Sequence, residues 1–269
     1  MRFSGQTVLI TGATGGMGES HVRGYHAEGA QVVIGSTPGR LETAHRLADE
    51  LGERALAVRL DVTSERDWAA AVSVTAERFG GPAILVNNAG VQNPAATVED
   101  TDPRVWERTF AVNVTGQFLG IRAVTPAMRR SGGGVIVNVG STMGYGATAC
   151  YAPYVAGKWA IRGLTGSAAL ELGRDNIRVN ALHPGVVETK LITEPAEPGG
   201  RPISDFYDPT PFAVPRMARP AEITAALLYL TSPEAAFLTG TELVVDGGLL
   251  LGPALPPLQA PRAGLAGVA

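Results

Sequence analysis

The sequence holds one cysteine, Cys150, in 269 residues, so no disulfide can close within the chain and a reducing compartment suits it. No neighbouring cation in sequence would activate that thiol, and we read it as a small packing residue. Positive charge is not in excess: 22 Lys and Arg face 25 Asp and Glu, a net charge of -3. A nucleic-acid partner is therefore not expected. No apolar run approaches membrane-spanning length, and the run from Thr7 to Ile10 is too short even for a signal-peptide core. These absences predict a cytoplasmic protein without a membrane partner. His, Cys, Asp and Glu nowhere share metal-ligand spacing, so no catalytic metal is expected. Internal repeats are missing too. Asn113-Val114-Thr115 fits a glycosylation sequon, which without a secretory signal reads as chance.

Apolar residues, by contrast, are plentiful. They make up 45% of the chain against 17% charged, enough to bury the core of one large α/β domain. Strand-like runs fall at Thr7–Thr11, Gln31–Gly35, Ala55–Leu60, Ala83–Asn87, Gly134–Val139, Ile177–His183 and Glu242–Val245. Several are continuously apolar and β-branched, as in strands covered on both faces. Helical spacing lies between them: Leu41, Ala44, Ala48 and Leu51 share one face, as do Ile223, Leu227 and Leu230. This alternation predicts a doubly wound α/β fold, a parallel sheet of about seven strands with helices on both faces, ligands lying at the strands' carboxyl ends.

We expect a single domain over 1–251. Within it, 184–219 is a long Pro- and Gly-rich connection carrying Phe206, Tyr207 and Phe212, and it leaves the sheet on the ligand edge. We read it as a substrate lid; a surface loop pinned by its own aromatics is the plainer reading. The Pro/Ala/Gly-rich tail, 252–269, has no period and is expected to be disordered, with docking onto a neighbouring subunit as the alternative.

Thr11-Gly12-Ala13-Thr14-Gly15-Gly16-Met17-Gly18 follows the first strand and opens a helix. Glycines there permit a tight turn and close backbone approach to a pyrophosphate, which the helix N-terminus attracts, so Gly12, Thr14, Gly16, Met17 and Gly18 are candidate dinucleotide contacts. Two spacings fit: Thr-Gly-x-x-x-Gly-x-Gly through Gly16, or Thr-Gly-x-x-Gly-x-x-Gly through Gly15.

Further along come Asn87-Asn88-Ala89-Gly90 at a strand end, then Asn113, Ser141, Tyr154 and Lys158, then Pro184-Gly185-Val186-Val187-Glu188-Thr189. In order and spacing, over about Gly5 to Gly248, these resemble the single-domain branch of the short-chain dehydrogenase/reductase family. Among its members the chain is similar to bacterial hydroxysteroid dehydrogenases of the 3α/20β kind. The resemblance implies a Rossmann-like fold, NAD(P)(H), and hydride transfer to or from a ketone or secondary alcohol. It also implies cofactor contacts at Asp61, Val62, Asn88, Ala89, Gly90, Pro184, Gly185, Val187 and Thr189, with Lys158 on the nicotinamide ribose and Asn113 placing a water in a proton relay.

The chemistry is sound on its own terms. Tyr154 and Lys158 are four apart on a helix and share a face. A phenol of pKa about 10 is a poor base at neutral pH, and a nearby ammonium would lower it, so Tyr154 can trade a proton with the substrate oxygen. Ser141 would stabilise the charge developing there. Tyr151 lacks the spacing to Lys158 and reads as substrate contact or packing. His183 reads as a hydrogen-bonded structural residue.

NAD-binding turns carry an acid at the end of the second strand, where this chain has Ser36. Ser36, Thr37 and Arg40 could instead hold a 2′-phosphate. We therefore favour NADP(H), with NAD(H) as the alternative. The expected substrate is a small hydrophobic carbonyl or alcohol, steroid-like or cyclic. A homo-oligomer, tetramer or dimer, is expected through helices over Asp102–Arg130 and Ala152–Gly173. The rivals are an epimerase or dehydratase on the same fold, and a non-catalytic dinucleotide sensor.

Overall fold

The computed structural model describes residues 1–195 and 201–253. In chain order the elements are β1 (Thr7–Thr11), α1 (Gly16–Ala27), β2 (Gln31–Ser36), α2 (Leu41–Leu51), β3 (Ala55–Arg59), α3 (Glu65–Phe79), β4 (Ile84–Asn87) and α4 (Pro103–Phe110). There follow α5 (Gly116–Arg130), β5 (Gly134–Val139), α6 (Ala152–Leu172), β6 (Ile177–Pro184), α7 (Lys190–Thr193), α8 (Pro220–Thr231) and β7 (Glu242–Val245). All seven expected strands are present, in one parallel sheet ordered β3-β2-β1-β4-β5-β6-β7.

The apolar strand runs have a two-sided use. Val8, Ile10, Val32, Ile34 and Val86 face one core, closed by α1, α2 and α8; Leu9, Val33, Leu85 and Ile136 face the other, closed by α3, α5 and α6. Alternate side chains point to opposite faces, so a continuous apolar run fills both layers at once. The order reverses between β1 and β4. That switch point opens a crevice at the carboxyl ends of the strands, with the glycine turn beneath it.

The stretch expected as one helix from Asp102 to Arg130 is interrupted. Between α4 and α5 lies a five-residue π-helical turn, Ala111–Thr115. Such a turn inserts an extra residue and re-aims the side chains around it; here it carries Asn113.

The long connection after β6 is tied at both ends, by a bridge between Val187 and Ala218. Tyr207 and Phe212 stack on each other at 6.2 Å, while Phe206 stands 71% exposed beneath the Arg201 guanidinium. Residues 196–200 of this segment, and the tail expectation from 254 onward, lie outside the described residues. None of the described helices is long and apolar enough to cross a membrane.

Candidate active site

The glycine turn is shaped by crowding. Gly12 sits at φ +59, and a Cβ there would stand 2.8 Å from the Ala89 Cα. At Gly18 a Cβ would come within 2.2 Å of the Gly12 carbonyl, and at Gly16 within 2.9 Å of Thr189. At Gly15 the nearest atom would be 3.5 Å away, an ordinary contact. The spatially constrained glycines are therefore 12, 16 and 18, which resolves the ambiguous spacing in favour of Thr-Gly-x-x-x-Gly-x-Gly.

Asn88 braces the turn: its Nδ2 donates to the carbonyls of Thr11 (2.9 Å) and Gly12 (3.2 Å). Thr11 Oγ1 accepts in return from the backbone N–H groups of Asn88 and Ala89. The N-cap of α1, Gly15, contributes no side-chain cap, so the first N–H groups of the helix face the crevice without a side-chain acceptor. That cradle fits an anion, as the dinucleotide reading requires.

At the end of β2, Ser36 is 2% exposed and its hydroxyl meets that of Thr14 at 3.0 Å. This contact links β2 to the glycine turn, and with Thr14 as donor it leaves the Ser36 proton for a phosphate; Thr37 and Arg40 are exposed. Asp61 is engaged locally, its Oδ1 accepting from the N–H and hydroxyl of Thr63. Val62 packs under Gly116, where a Cβ would come within 2.7 Å of its Cγ2.

The residues expected to handle protons gather at the carboxyl ends of β4 and β5. Ser141 follows β5 in extended backbone, and its Oγ accepts from the Met143 N–H at 3.2 Å. Tyr154, in the first turn of α6, lies close enough to Ser141 for the serine to act on its phenol. Burial pushes the Tyr154 phenol up and Ser141 draws it down, with burial the larger.

Lys158 is 4% exposed, with Nζ 5.4 Å from the Tyr154 ring centroid and donating to the Val139 carbonyl at 2.9 Å. Burial pushes its pKa down to about 8. The ammonium lies within the range at which a positive charge favours a phenolate. It is turned toward the Val139 carbonyl, beneath the ring, and Ser141 is a lowering contact on Tyr154. An ammonium has three protons to donate. Lys158 spends one on Val139 and sits 4.0 Å from where a Gly90 Cβ would be, so its remaining donors fit cofactor hydroxyls over Gly90.

Asn113 is fully buried, which closes its sequon in the folded chain. Its side chain clamps Val91: Nδ2 donates to the Val91 carbonyl and Oδ1 accepts from the Val91 N–H, both at 2.8 Å.

Of the cofactor positions after β6, Val187 is buried, Thr189 lies across from Gly16, and Gly185 packs against Asp246. His183 is fully buried beside Ser141, and burial lowers its pKa. Cys150 overturns the packing expectation: it is exposed, at φ 68, and its carbonyl accepts from the Ala96 N–H. Tyr151, just before α6, is half-buried. An open groove of about 440 Å³ between the segment after β4 and α4, lined by Val91, Asn93, Arg104 and Arg108 among others, lies beside this site and includes neither Ser141 nor Tyr154.

Sequence reasoning missed a polar ladder through the sheet. Asn87 Nδ2 donates to Asn138 Oδ1, and Asn138 Nδ2 to Thr165 Oγ1, each at 2.9 Å. Gln117 Nε2 adds a second donor to the Val139 carbonyl. An asparagine inside an apolar strand run was the available signal, because a buried amide must find partners.

The family model described as "Enoyl-(Acyl carrier protein) reductase" matches residues 12–250. A 3-alpha-(or 20-beta)-hydroxysteroid dehydrogenase of Mycobacterium bovis is 44% identical over 93% of this chain and 92% of its own length. A trans-4-hydroxycyclohexanecarboxylate dehydrogenase of Sinomonas cyclohexanicum is 39% identical over 92% and 93%. The crystal structure of a 3-ketoacyl-(acyl-carrier-protein) reductase from Brucella melitensis, complexed with NADH, superposes with a TM-score of 0.82 at 36% identity, covering 91% of this chain and 98% of that one. With the crowded glycine turn and the Ser141–Tyr154 pair above a buried lysine, these likenesses place the chain in the short-chain dehydrogenase/reductase family of NAD(P)-dependent oxidoreductases.

Proposed function

We propose that this protein interconverts a secondary alcohol and a ketone on a hydrophobic ring, with Tyr154 as the acid and base. The observation that carries the reading is the gathering of Tyr154, Ser141 and a buried Lys158, whose Nζ lies 5.4 Å from the Tyr154 ring centroid. The ring preference is supported by the two curated relatives, each named for a hydroxyl on a carbocycle.

When bound, the nicotinamide supplies or takes up the hydride. In reduction, Tyr154 Oη gives its proton to the carbonyl oxygen; in oxidation it takes the alcohol's proton. The phenol held up by burial keeps Tyr154 protonated at neutral pH, ready as the acid. Ser141 Oγ donates to the reacting oxygen as charge grows on it. Lys158 holds ribose hydroxyls with the donors Val139 leaves spare. Because Val91 takes both atoms of the Asn113 amide, a water relay at Asn113 uses its main-chain carbonyl.

NADP(H) remains the favoured cofactor: no acid closes β2, and Thr37 and Arg40 are exposed there. The 184–219 segment is the lid of this reading, with the Val187–Ala218 bridge at its base. Trp106, Phe118 and Trp159, exposed on α4, α5 and α6, support a homo-oligomer through those helices.

The test is an absorbance assay of NADH and NADPH oxidation against cyclic, aromatic and steroid ketones. Turnover of cyclic or steroid ketones is expected. Tight cofactor binding with no turnover across the panel would instead support the dinucleotide sensor.

A further inference from the structure

Hydrogen bonding between β5 and β6 runs out just before the site. The last aligned pair is Val139 with Leu182, and the Gly140 N–H donates to the Leu182 carbonyl at 2.8 Å. Ser141 lies one residue beyond, with no strand rung to hold it. In that place stands the imidazole of His183, whose Nδ1 is 3.3 Å from the Ser141 nitrogen and 3.1 Å from the Ser141 carbonyl oxygen.

The ring is fully buried and its fit is tight. A Cβ on Gly140 would lie 2.4 Å from Nδ1, so residue 140 is a glycine because the imidazole fills the space a side chain would need. Tyr145 meets the ring edge-on, with centroids 5.0 Å apart at 77°. Tyr145 is itself fixed: its hydroxyl donates to Glu242 Oε2 at 2.7 Å, and the Arg162 guanidinium lies 4.1 Å over its ring while also bonding Glu242. A brace thus runs from edge strand β7 through Glu242 and Tyr145 to His183, and ends on the serine beside Tyr154.

We propose that His183 is a positioning residue for Ser141: its Nδ1 replaces the missing β5–β6 rung and holds the serine backbone beside Tyr154. The hydrogen-bonding contacts of the ring are to the Ser141 backbone, and its role is exerted through that residue. The charged and titratable groups around it are Lys158 and Arg162 on α6, Glu242 on β7 and Tyr145. Burial keeps it neutral, so it works as a hydrogen-bonding wedge. This inference rests on the acid–base reading of Tyr154, and its test includes a readout that needs no turnover.

That readout is the Cζ resonance of Tyr154 in protein labelled with 13C-tyrosine at neutral pH, identified by its loss in Tyr154→Phe. It reports the phenol's surroundings, and Ser141→Ala marks its position when the serine hydroxyl is gone. In His183→Leu the resonance should move toward the Ser141→Ala position. In His183→Asn, which keeps a polar atom near Nδ1, it should stay near wild type. In the assay, kcat should fall at least about tenfold in His183→Leu, with KM and cofactor affinity little changed, and His183→Asn should recover most of it.

Should His183→Leu not fold, Tyr145→Leu loosens the same ring and should shift the same resonance by less. An unmoved resonance in the folded variant, or equal kcat loss in His183→Leu and His183→Asn, overturns the proposal and leaves His183 a packing residue. A shifted resonance in a protein that turns over no ketone would instead sink the acid–base reading and leave the positioning role standing.

Discussion

Leu9 in β1 and Ile136 in β5 are both buried in the same core layer, and two residues further along come Thr11 and Asn138. Thr11 receives the backbone of Asn88 and Ala89, and what it supports is main chain: a glycine turn shaped by the absence of Cβ atoms. Asn138 reaches Asn87 and Thr165, and the strand end beyond it is held by side chains: Gln117 and Lys158 on Val139 and His183 on Ser141, all three buried and polar. The cofactor half of the crevice is made by removing atoms, the catalytic half by burying polar ones. A buried polar group costs free energy unless paired. In the catalytic half Gln117 Oε1 and His183 Nε2 are buried without a partner among the described residues, as is Asn88 Oδ1 beside the glycine turn, so each half carries some of that cost.

The comparison breaks or sharpens at four places. The largest effect belongs to Tyr154→Phe, which should lower kcat by about 10² to 10⁴-fold while cofactor titration by fluorescence gives an unchanged Kd. A variant near wild-type kcat would remove the catalytic half from the account. Next is Gly18→Ala, whose Cβ meets the Gly12 carbonyl at 2.2 Å. Cofactor affinity should weaken at least about tenfold, whereas Gly15→Ala, with 3.5 Å of room, should bind nearly as wild type. Equal losses would mean that crowding does not shape the turn.

Lys158→Met reads the burial of charge through stability. Because the folded protein holds this pKa near 8 against 10.5 unfolded, the unfolded chain binds more protons between those values, and stability rises with pH across that window. Below pH 8 the buried ammonium is a burden, and the Val139 carbonyl keeps Gln117 as a donor when it is gone. The cofactor-free variant should thus show a higher Tm at pH 7, with the gain shrinking as pH climbs toward 10.5. A lower Tm at pH 7 would show the ammonium to be well satisfied. The smallest effect is Ser36→Asp, which should raise the ratio of kcat/KM with NADH to that with NADPH by roughly tenfold, a carboxylate repelling the 2′-phosphate. An unchanged ratio would put cofactor choice elsewhere.

The fold was legible where apolar runs were long. Thr7–Thr11, Gly134–Val139 and Glu242–Val245 were read with the bounds the structure has, because each is a short, mainly apolar and β-branched run set off by its neighbours. The π turn at Ala111–Thr115 was invisible, since one extra residue in a helix barely alters a periodic pattern. At the site, Tyr154 and Lys158 were legible as a helical pair. The lysine's turn toward Val139 was not, because its acceptor comes from a strand 19 residues earlier in the chain. Cys150 failed as a packing residue for a related reason. Its left-handed backbone and exposure follow from a loop contact to Ala96, far away in sequence.

Composition, strand order of appearance and the residue types at each functional position were set by the sequence itself, because they depend on local periodicity and on chemistry carried by single side chains. Which glycines are crowded, where the Ser36 hydroxyl turns, what Asn113 grips and how His183 comes to stand against Ser141 were decided only in three dimensions. Each of those depends on an atom delivered by a different strand or helix, and packing alone brings the two together.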